Sequence, residues 1–195
     1  VSACGGGASS SRGGSGGSAT LTLGAIVPPT TFSAQDMAFA NESPYGQAVF
    51  DTLLKAQPDG TIVPNLATDW SYHADNTVLT MTLRSDVVFT DGTKFDASVA
   101  AQNLTRFQAG ASPNKSFLAA MKSATAVDPT HLEITLKAAD PALLNYLTQN
   151  AGYQESPAAF SSPDIKTTPV GSGPYTLDSA NTVVGSSALS RTRSV

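Results

Sequence analysis

Cys4 is the one cysteine in the 195-residue chain, and it stands in the run Val1-Ser2-Ala3-Cys4-Gly5. A branched apolar residue three before the thiol, with two small residues between, suits a signal peptidase cleft, and the thiol left at the new N-terminus is then open to acylation. The pattern predicts a lipidated Cys4, with residues 1–3 the remnant of a signal peptide; an incidental N-terminal cysteine is the alternative. Gly5 to Ser18 favours lipidation, since twelve of its fourteen residues are Gly or Ser. Such a segment buries too little apolar surface to fold, and it tethers a domain at a reach of roughly 20 Å from a membrane surface.

Other side chains with chemical potential are sparse. A single cysteine excludes an internal disulfide, and with His73 and His131 the only histidines, no structural zinc set is expected. Both histidines sit beside turn residues and read as surface groups. Gly171-Ser172-Gly173 lacks the flanks of a nucleophile elbow, no HExxH occurs, and the Gly-rich tether has no Lys-Ser/Thr pair to make it a phosphate loop. The carboxylates are scattered without an acid–base pair. No enzyme, metal or cofactor is expected. The net charge of −4 argues against nucleic acid, and no apolar run approaches the roughly 20 residues of a spanning helix.

The elements that must position any site follow from periodicity. Thr20 to Val27 alternates and is stopped by Pro28-Pro29, a first strand. Ser43-Pro44 reads as an N-cap and first helical proline, with Tyr45, Ala48, Val49 and Leu53 on one helical face. Pro58-Asp59-Gly60 is a turn. Asp69 to Arg84 reads as two strands about Ala74-Asp75-Asn76, with Leu79, Met81 and Leu83 on a dry face and Thr80, Thr82 and Arg84 on a wet one. Trp70 is expected in the core. Arg84 has Asp86 or Asp91 as candidate partners, or is a solvated strand end. Val87-Val88-Phe89 ends at an Asp91-Gly92 turn, and Asp96 caps a helix to about Phe107. A short helix around Phe117, Leu118 and Met121 precedes strands Thr125–Val127 and Leu132–Leu136, joined at Asp128-Pro129. Asp140-Pro141 starts a helix carrying Leu143, Leu144 and Leu147. Gln154 to Pro169 reads as loop, and Tyr175–Leu177 and Val183–Val184 as the last strands.

Four segments together carry a resemblance. They are Tyr45 to Leu54 with Asp59-Gly60-Thr61-Ile62-Val63-Pro64-Asn65-Leu66-Ala67-Thr68-Asp69-Trp70; Leu79 to Arg84; Val88-Phe89-Thr90-Asp91-Gly92-Thr93; and Pro169-Val170-Gly171-Ser172-Gly173-Pro174-Tyr175-Thr176-Leu177. In order and spacing the chain resembles the bacterial extracellular solute-binding proteins of family 5, the receptors of dipeptide, oligopeptide and nickel ABC importers. Each motif has a scaffold role, so the resemblance identifies the fold and leaves the ligand open.

The resemblance implies a mixed α/β fold, the first lobe of a class II periplasmic-binding-protein-like architecture, incomplete, with a smaller α/β sublobe inserted. Residues 19–50 would start the inner sublobe, 51–165 form the outer sublobe and 166–185 return to the inner one. The tail 186–195 is polar and aperiodic where the family pattern continues, which implies a truncated product or, alternatively, a natural short form. Relatives hold solute between two lobes, and the positions implied here are Ala38, Phe39, Ala40 and Asn41, with Asn114 and Phe117 at a second cleft-facing site; an ordinary surface loop is the alternative. Where a peptide-importer relative carries an aromatic, this chain has Asn114, so the solute stays open among peptides, nickel complexes and oligosaccharides. Implied partners are an oligopeptide or other small solute, an ABC permease, and the membrane through lipid on Cys4, with the chain a monomer on the outer side of the cytoplasmic membrane or in the periplasm. A standalone lipid-anchored cell-surface interaction module is the rival reading, and an unrecognised secreted hydrolase a third.

Overall fold

The computed structural model describes residues 27–178, 187 and 189–191. Cys4, the Gly/Ser tether, nearly all of the expected first strand and the expected strand at Val183–Val184 lie outside the described residues.

The main sheet has four antiparallel strands, β3 (Ala67–His73), β4 (Val78–Leu83), β5 (Met121–Asp128) and β6 (His131–Leu136), in the order β3-β4-β6-β5. Period-two alternation sets its faces: Leu79, Met81 and Leu83 of β4 and Leu132, Ile134 and Leu136 of β6 are buried on one side. The register puts Leu79 opposite Ile134 and Met81 opposite Leu132, so the two central strands meet through cross-strand apolar pairs. The expected tight turn is there, and Ala74, Asp75 and Asn76 all adopt positive φ (48°, 57° and 64°).

One long helix, α2 (Ala97–Ala109), covers the dry face. Asp96 caps it as the sequence predicts, its carboxylate accepting the Val99 N–H at 2.9 Å. Ala97, Ala100 and Ala101 let the helix approach closely, while Val99, Leu104 and Phe107 fill the space beneath. Leu143 and Leu147 from the short helix α3 (Leu143–Tyr146) and its end join the same core. Asp140 accepts the Ala142 N–H at 2.9 Å and holds the chain into that helix.

Several local expectations are corrected. Helix α1 (Ser43–Val49) has Glu42 at its cap position, so Ser43 is the first helical residue, and Leu53 lies beyond its end. A hairpin of β1 (Leu54–Ala56) and β2 (Ile62–Pro64) surrounds the Pro58-Asp59-Gly60 turn, and Gly60 at φ +86° supplies its left-handed corner. Met121 opens β5 instead of ending a helix; Lys115–Leu118 is only a 3-10 turn. Trp70 is half-buried, because β3 is an edge strand that the core reaches on one side only. Arg84 forks onto Asp86 with two 2.8 Å bonds, both partners largely exposed. Within the expected loop Gln154–Pro169, Gln154, Glu155 and Ser156 are buried and Pro157–Ala159 is a 3-10 turn. The tail read as aperiodic supplies β8 (Leu189–Arg191), antiparallel to β7 (Tyr175–Leu177).

A second, smaller core gathers Phe32, Ala34, Met37, Val49, Phe50 and Tyr153. Gly46 is required there, because a Cβ would fall 2.6 Å from the Tyr153 hydroxyl. Glu155 lies between the two cores, 1% exposed; one carboxylate oxygen accepts the Ala34 N–H at 3.4 Å and the other has no partner. Burial raises its pKa from 4.5 to about 8, opposed by the Ala34 N–H and Arg106 and reinforced by Asp36.

Two outcomes are expected. Asp96→Ala should cost about 1 kcal/mol, read as a lower urea midpoint with unchanged slope, and Asp96→Ser should recover most of it. For Glu155 the folded pKa lies above the unfolded one, so the unfolded chain holds fewer protons between pH 4.5 and about 8. Stability should therefore fall across that window by about 1.4 kcal/mol per pH unit and level off on either side. Urea midpoints from pH 5 to 8 should show this slope in the native chain and lose it in Glu155→Gln.

Candidate functional site

The segment from Thr31 to Met37 enters the interior without joining a helix or strand, with Thr31, Phe32, Ser33, Ala34 and Met37 buried. It closes one local turn, the Ser33 carbonyl accepting the Asp36 and Met37 N–H groups at 3.0 Å each, and its other backbone groups find partners elsewhere. Phe32 donates to the Lys166 carbonyl at 2.8 Å and Ala34 to Glu155. The Met37 carbonyl accepts from both Ser112 Oγ at 2.8 Å and Asn150 Nδ2 at 3.0 Å. Asp36 reaches the other way and accepts the Ala111 N–H at 2.9 Å.

Beyond Met37 the chain turns outward to the first group of sequence-predicted residues. Ala38 is half-buried and donates its N–H to Glu42 at 3.3 Å. Phe39 donates its N–H to Asn114 Oδ1 at 3.0 Å. Ala40 is exposed at φ +49°, a left-handed conformation that an L-residue adopts at a cost of about 1–2 kcal/mol. Ser43 steadies it, its hydroxyl donating to the Ala40 carbonyl at 2.7 Å. Asn41 is exposed.

Asn114 is thus brought directly onto Phe39, although 75 residues separate them. Phe117 is placed differently. Its N–H bonds the Asn114 carbonyl at 2.9 Å, but its ring stacks on Tyr146 at 4.3 Å between centroids and packs against the main core.

Phe39 lines an open cavity of about 470 Å³ between α1, β1 and the end of α3. Gln47, Asn145 and Gln149 line it, together with Asp51, Lys55 and the aromatic Phe50. Asp51 accepts the Ser172 hydroxyl at 2.9 Å, which ties the Gly171-Ser172-Gly173 turn to this wall. That serine has no histidine beside it: His73 pairs with Ser71 at 3.1 Å and His131 with Asp128 at 2.7 Å, both in the main sheet. Among the described residues no three metal-ligating side chains cluster.

Sequence reasoning missed Ser112 as an anchor, Asn150, Glu155 and the cavity-lining amides. Asn150 lies in Gln149-Asn150-Ala151-Gly152-Tyr153-Gln154, a stretch whose burial has no periodic signature, and its partners are 36, 38 and 113 residues away.

Comparison with known proteins is consistent with this geometry. The model of the bacterial extracellular solute-binding proteins, family 5 Middle, matches residues 61–189. The glutathione-binding protein GsiB of Escherichia coli K12 is 36% identical over 120 residues, which are 60% of this chain and 23% of that protein. The nickel-binding periplasmic protein of Escherichia coli K12 is 33% identical over 139 residues, 66% of this chain and 26% of that one. The chain therefore spans about a quarter of the length of these relatives. Among solved structures, NikA from Brucella suis in complex with Fe(III)-EDTA superposes with a TM-score of 0.73 at 27% identity, covering 86% of this chain and 35% of that one. With the family model matched over most of the described sheet, α2 and the Gly171–Pro174 turn, this chain belongs to the bacterial extracellular solute-binding proteins, family 5.

Proposed function

We propose that this chain is part of the substrate-binding lipoprotein of an ABC importer, capturing peptides or similar small solutes by non-covalent contact and delivering them to a membrane permease. The single observation that carries the peptide reading is the cavity beside Phe39. Its side-chain amides at Gln47, Asn145 and Gln149 can both donate and accept, as a peptide bond requires, while Asp51 and Lys55 offer opposite charges to the ends of a zwitterion. Phe39 and the exposed Pro174 supply apolar area for side chains. The exposed residues Ala40 and Asn41 beside Phe39 leave room for an extended ligand.

On this reading Ala38 to Asn41 face the solute, Asn114 supports them, and Phe117 acts through its stack on Tyr146. The small core and its flanking segments are the inner sublobe of a first lobe, and the sheet with α2 the outer one. Cys4 carries the lipid, the tether holds the chain off the outer surface of the membrane, and the protein acts as a monomer. Membership of a family of solute-binding proteins supports capture without catalysis.

Isothermal titration of the chain with glutathione and with the dipeptide Ala-Ala should give saturable heats, weakened about fivefold or more by Phe39→Ala or Gln149→Ala. Saturation by nickel(II) alone, with no heat from either peptide up to millimolar concentration, would refute the peptide reading. In bacteria fed a labelled fatty acid, the chain should take up label and the Cys4→Ser variant should take up none.

A further inference from the structure

Phe39 and Ala40 hold their positions through a small polar knot that spans three segments distant in sequence. Asn114 Oδ1 accepts two bonds, from Phe39 N–H at 3.0 Å and from Asn150 Nδ2 at 3.1 Å. Asn150 Nδ2 also reaches the Met37 carbonyl at 3.0 Å and Ser112 Oγ at 3.3 Å, so its two N–H groups are shared among three acceptors. Ser112 Oγ closes the ring, donating to Met37 O at 2.8 Å and accepting Asn114 N–H at 3.1 Å. Ser112, Asn150 and Met37 are each no more than 2% exposed, so water does not substitute for these bonds.

Two backbone groups fix the direction of every amide in the knot. Phe39 N–H can only donate, so Asn114 must present its oxygen. Met37 C=O can only accept, so Asn150 must present its nitrogen. With both lone pairs of Asn114 Oδ1 engaged, that oxygen has no capacity left for a solute.

We infer that Asn114, locked by Ser112 and Asn150, is a positioning residue: its side-chain oxygen fixes the Met37–Ala40 backbone so that Phe39 faces the cavity and Ala40 keeps its left-handed turn. The inference rests on the reading of the Phe39 cavity as the solute site. It assigns Asn114 a different task from a direct solute acceptor and adds Ser112 and Asn150, which the sequence did not single out. Because only an acceptor is needed at position 114, aspartate can replace asparagine there, and the half-exposed position tolerates the charge.

The test reads the Phe39 amide directly by hydrogen–deuterium exchange in the full chain at one fixed pH, with the Ile134 amide in the central strand β6 as reference. Asn114→Ala and the near-isosteric Asn114→Leu should speed Phe39 exchange about tenfold and leave Ile134 unchanged. Asn114→Asp should keep Phe39 within about threefold of the native rate. A native Phe39 rate in Asn114→Ala, or an Asn114→Asp variant as fast as Asn114→Leu, would overturn the assignment. A purely steric role for Asn114 predicts that leucine rescues and aspartate does not, the reverse order. No solute enters this measurement, so a failed glutathione titration counts against the solute site and leaves the knot standing.

Discussion

A buried chain segment without a ladder must take from elsewhere every hydrogen-bond partner its own turn cannot supply, and the Thr31–Met37 segment, with one local turn at Ser33, is that case. In the main sheet β4 and β6 pair with neighbours on both sides, so strand register alone satisfies their backbone. Between Thr31 and Met37 no strand neighbour is present, and beyond the turn at Ser33 the partners arrive singly: Lys166 O for Phe32, Glu155 for Ala34, Ser112 and Asn150 for Met37. Each lost partner would leave a buried donor or acceptor unmet, at about 1–3 kcal/mol. The placement of Phe39 at the cavity depends on this set of bonds, because Phe39 lies two residues beyond the anchored stretch.

The same constraint explains the density of polar side chains in the narrow zone between the two cores. Asn103 of α2 bonds the Glu155 backbone both ways, its Nδ2 to the carbonyl at 3.0 Å and its Oδ1 from the N–H at 3.2 Å. Ser156, next in the chain, donates to Asp91 at 2.6 Å and fastens the Asp91-Gly92 turn, while Ser172 does the same for Asp51. Asp91 thereby stays below its usual pKa despite partial burial, held by Ser156 and Thr93. Close backbone approach completes the seam: Gly171 and Gly173 pass against Val49, where a Cβ on either would meet its backbone. The glycines of the Gly171-Ser172-Gly173-Pro174 run are thus accounted for by packing, and its serine by a carboxylate.

What the sequence made legible was periodic or local. The alternation of Leu79, Met81 and Leu83, the Asp96 cap and the Ala74-Asp75-Asn76 turn each depend on residues within a few positions, and each appears where that pattern put it. Boundaries failed where tertiary packing overrode the local signal. Ser43 looks like a cap but is helical because Glu42 occupies that position, with its carboxylate turned to Thr30 and Ala38. Leu53 matches the α1 face by spacing, yet the chain has already extended toward β1. In the site, Phe39 and Asn114 were reachable through a family pattern, whereas Ser112, Asn150 and Glu155 were not. Their roles come from contacts with partners 36 to 121 residues distant, which no window of sequence displays.

Those distant contacts also tie the loop carrying Phe39 to the protonation of one acid. Glu155 and Asn150 grip the same segment three residues apart, at Ala34 N–H and Met37 C=O. Asn150 does so with a neutral amide whose strength is independent of pH. Glu155 does so with a carboxyl that burial keeps protonated through neutral pH, and ionising it places a charge beside Asp36, which anchors the Ala111 end of the same contact. Arg106, the basic group on that side, is engaged over the Phe160 ring at 4.0 Å. From that position Arg106 still lowers the Glu155 pKa, though by less than burial raises it, so the acid under the Phe39 loop stays neutral up to about pH 8 and the Ala34 contact is made by an uncharged carboxyl below that.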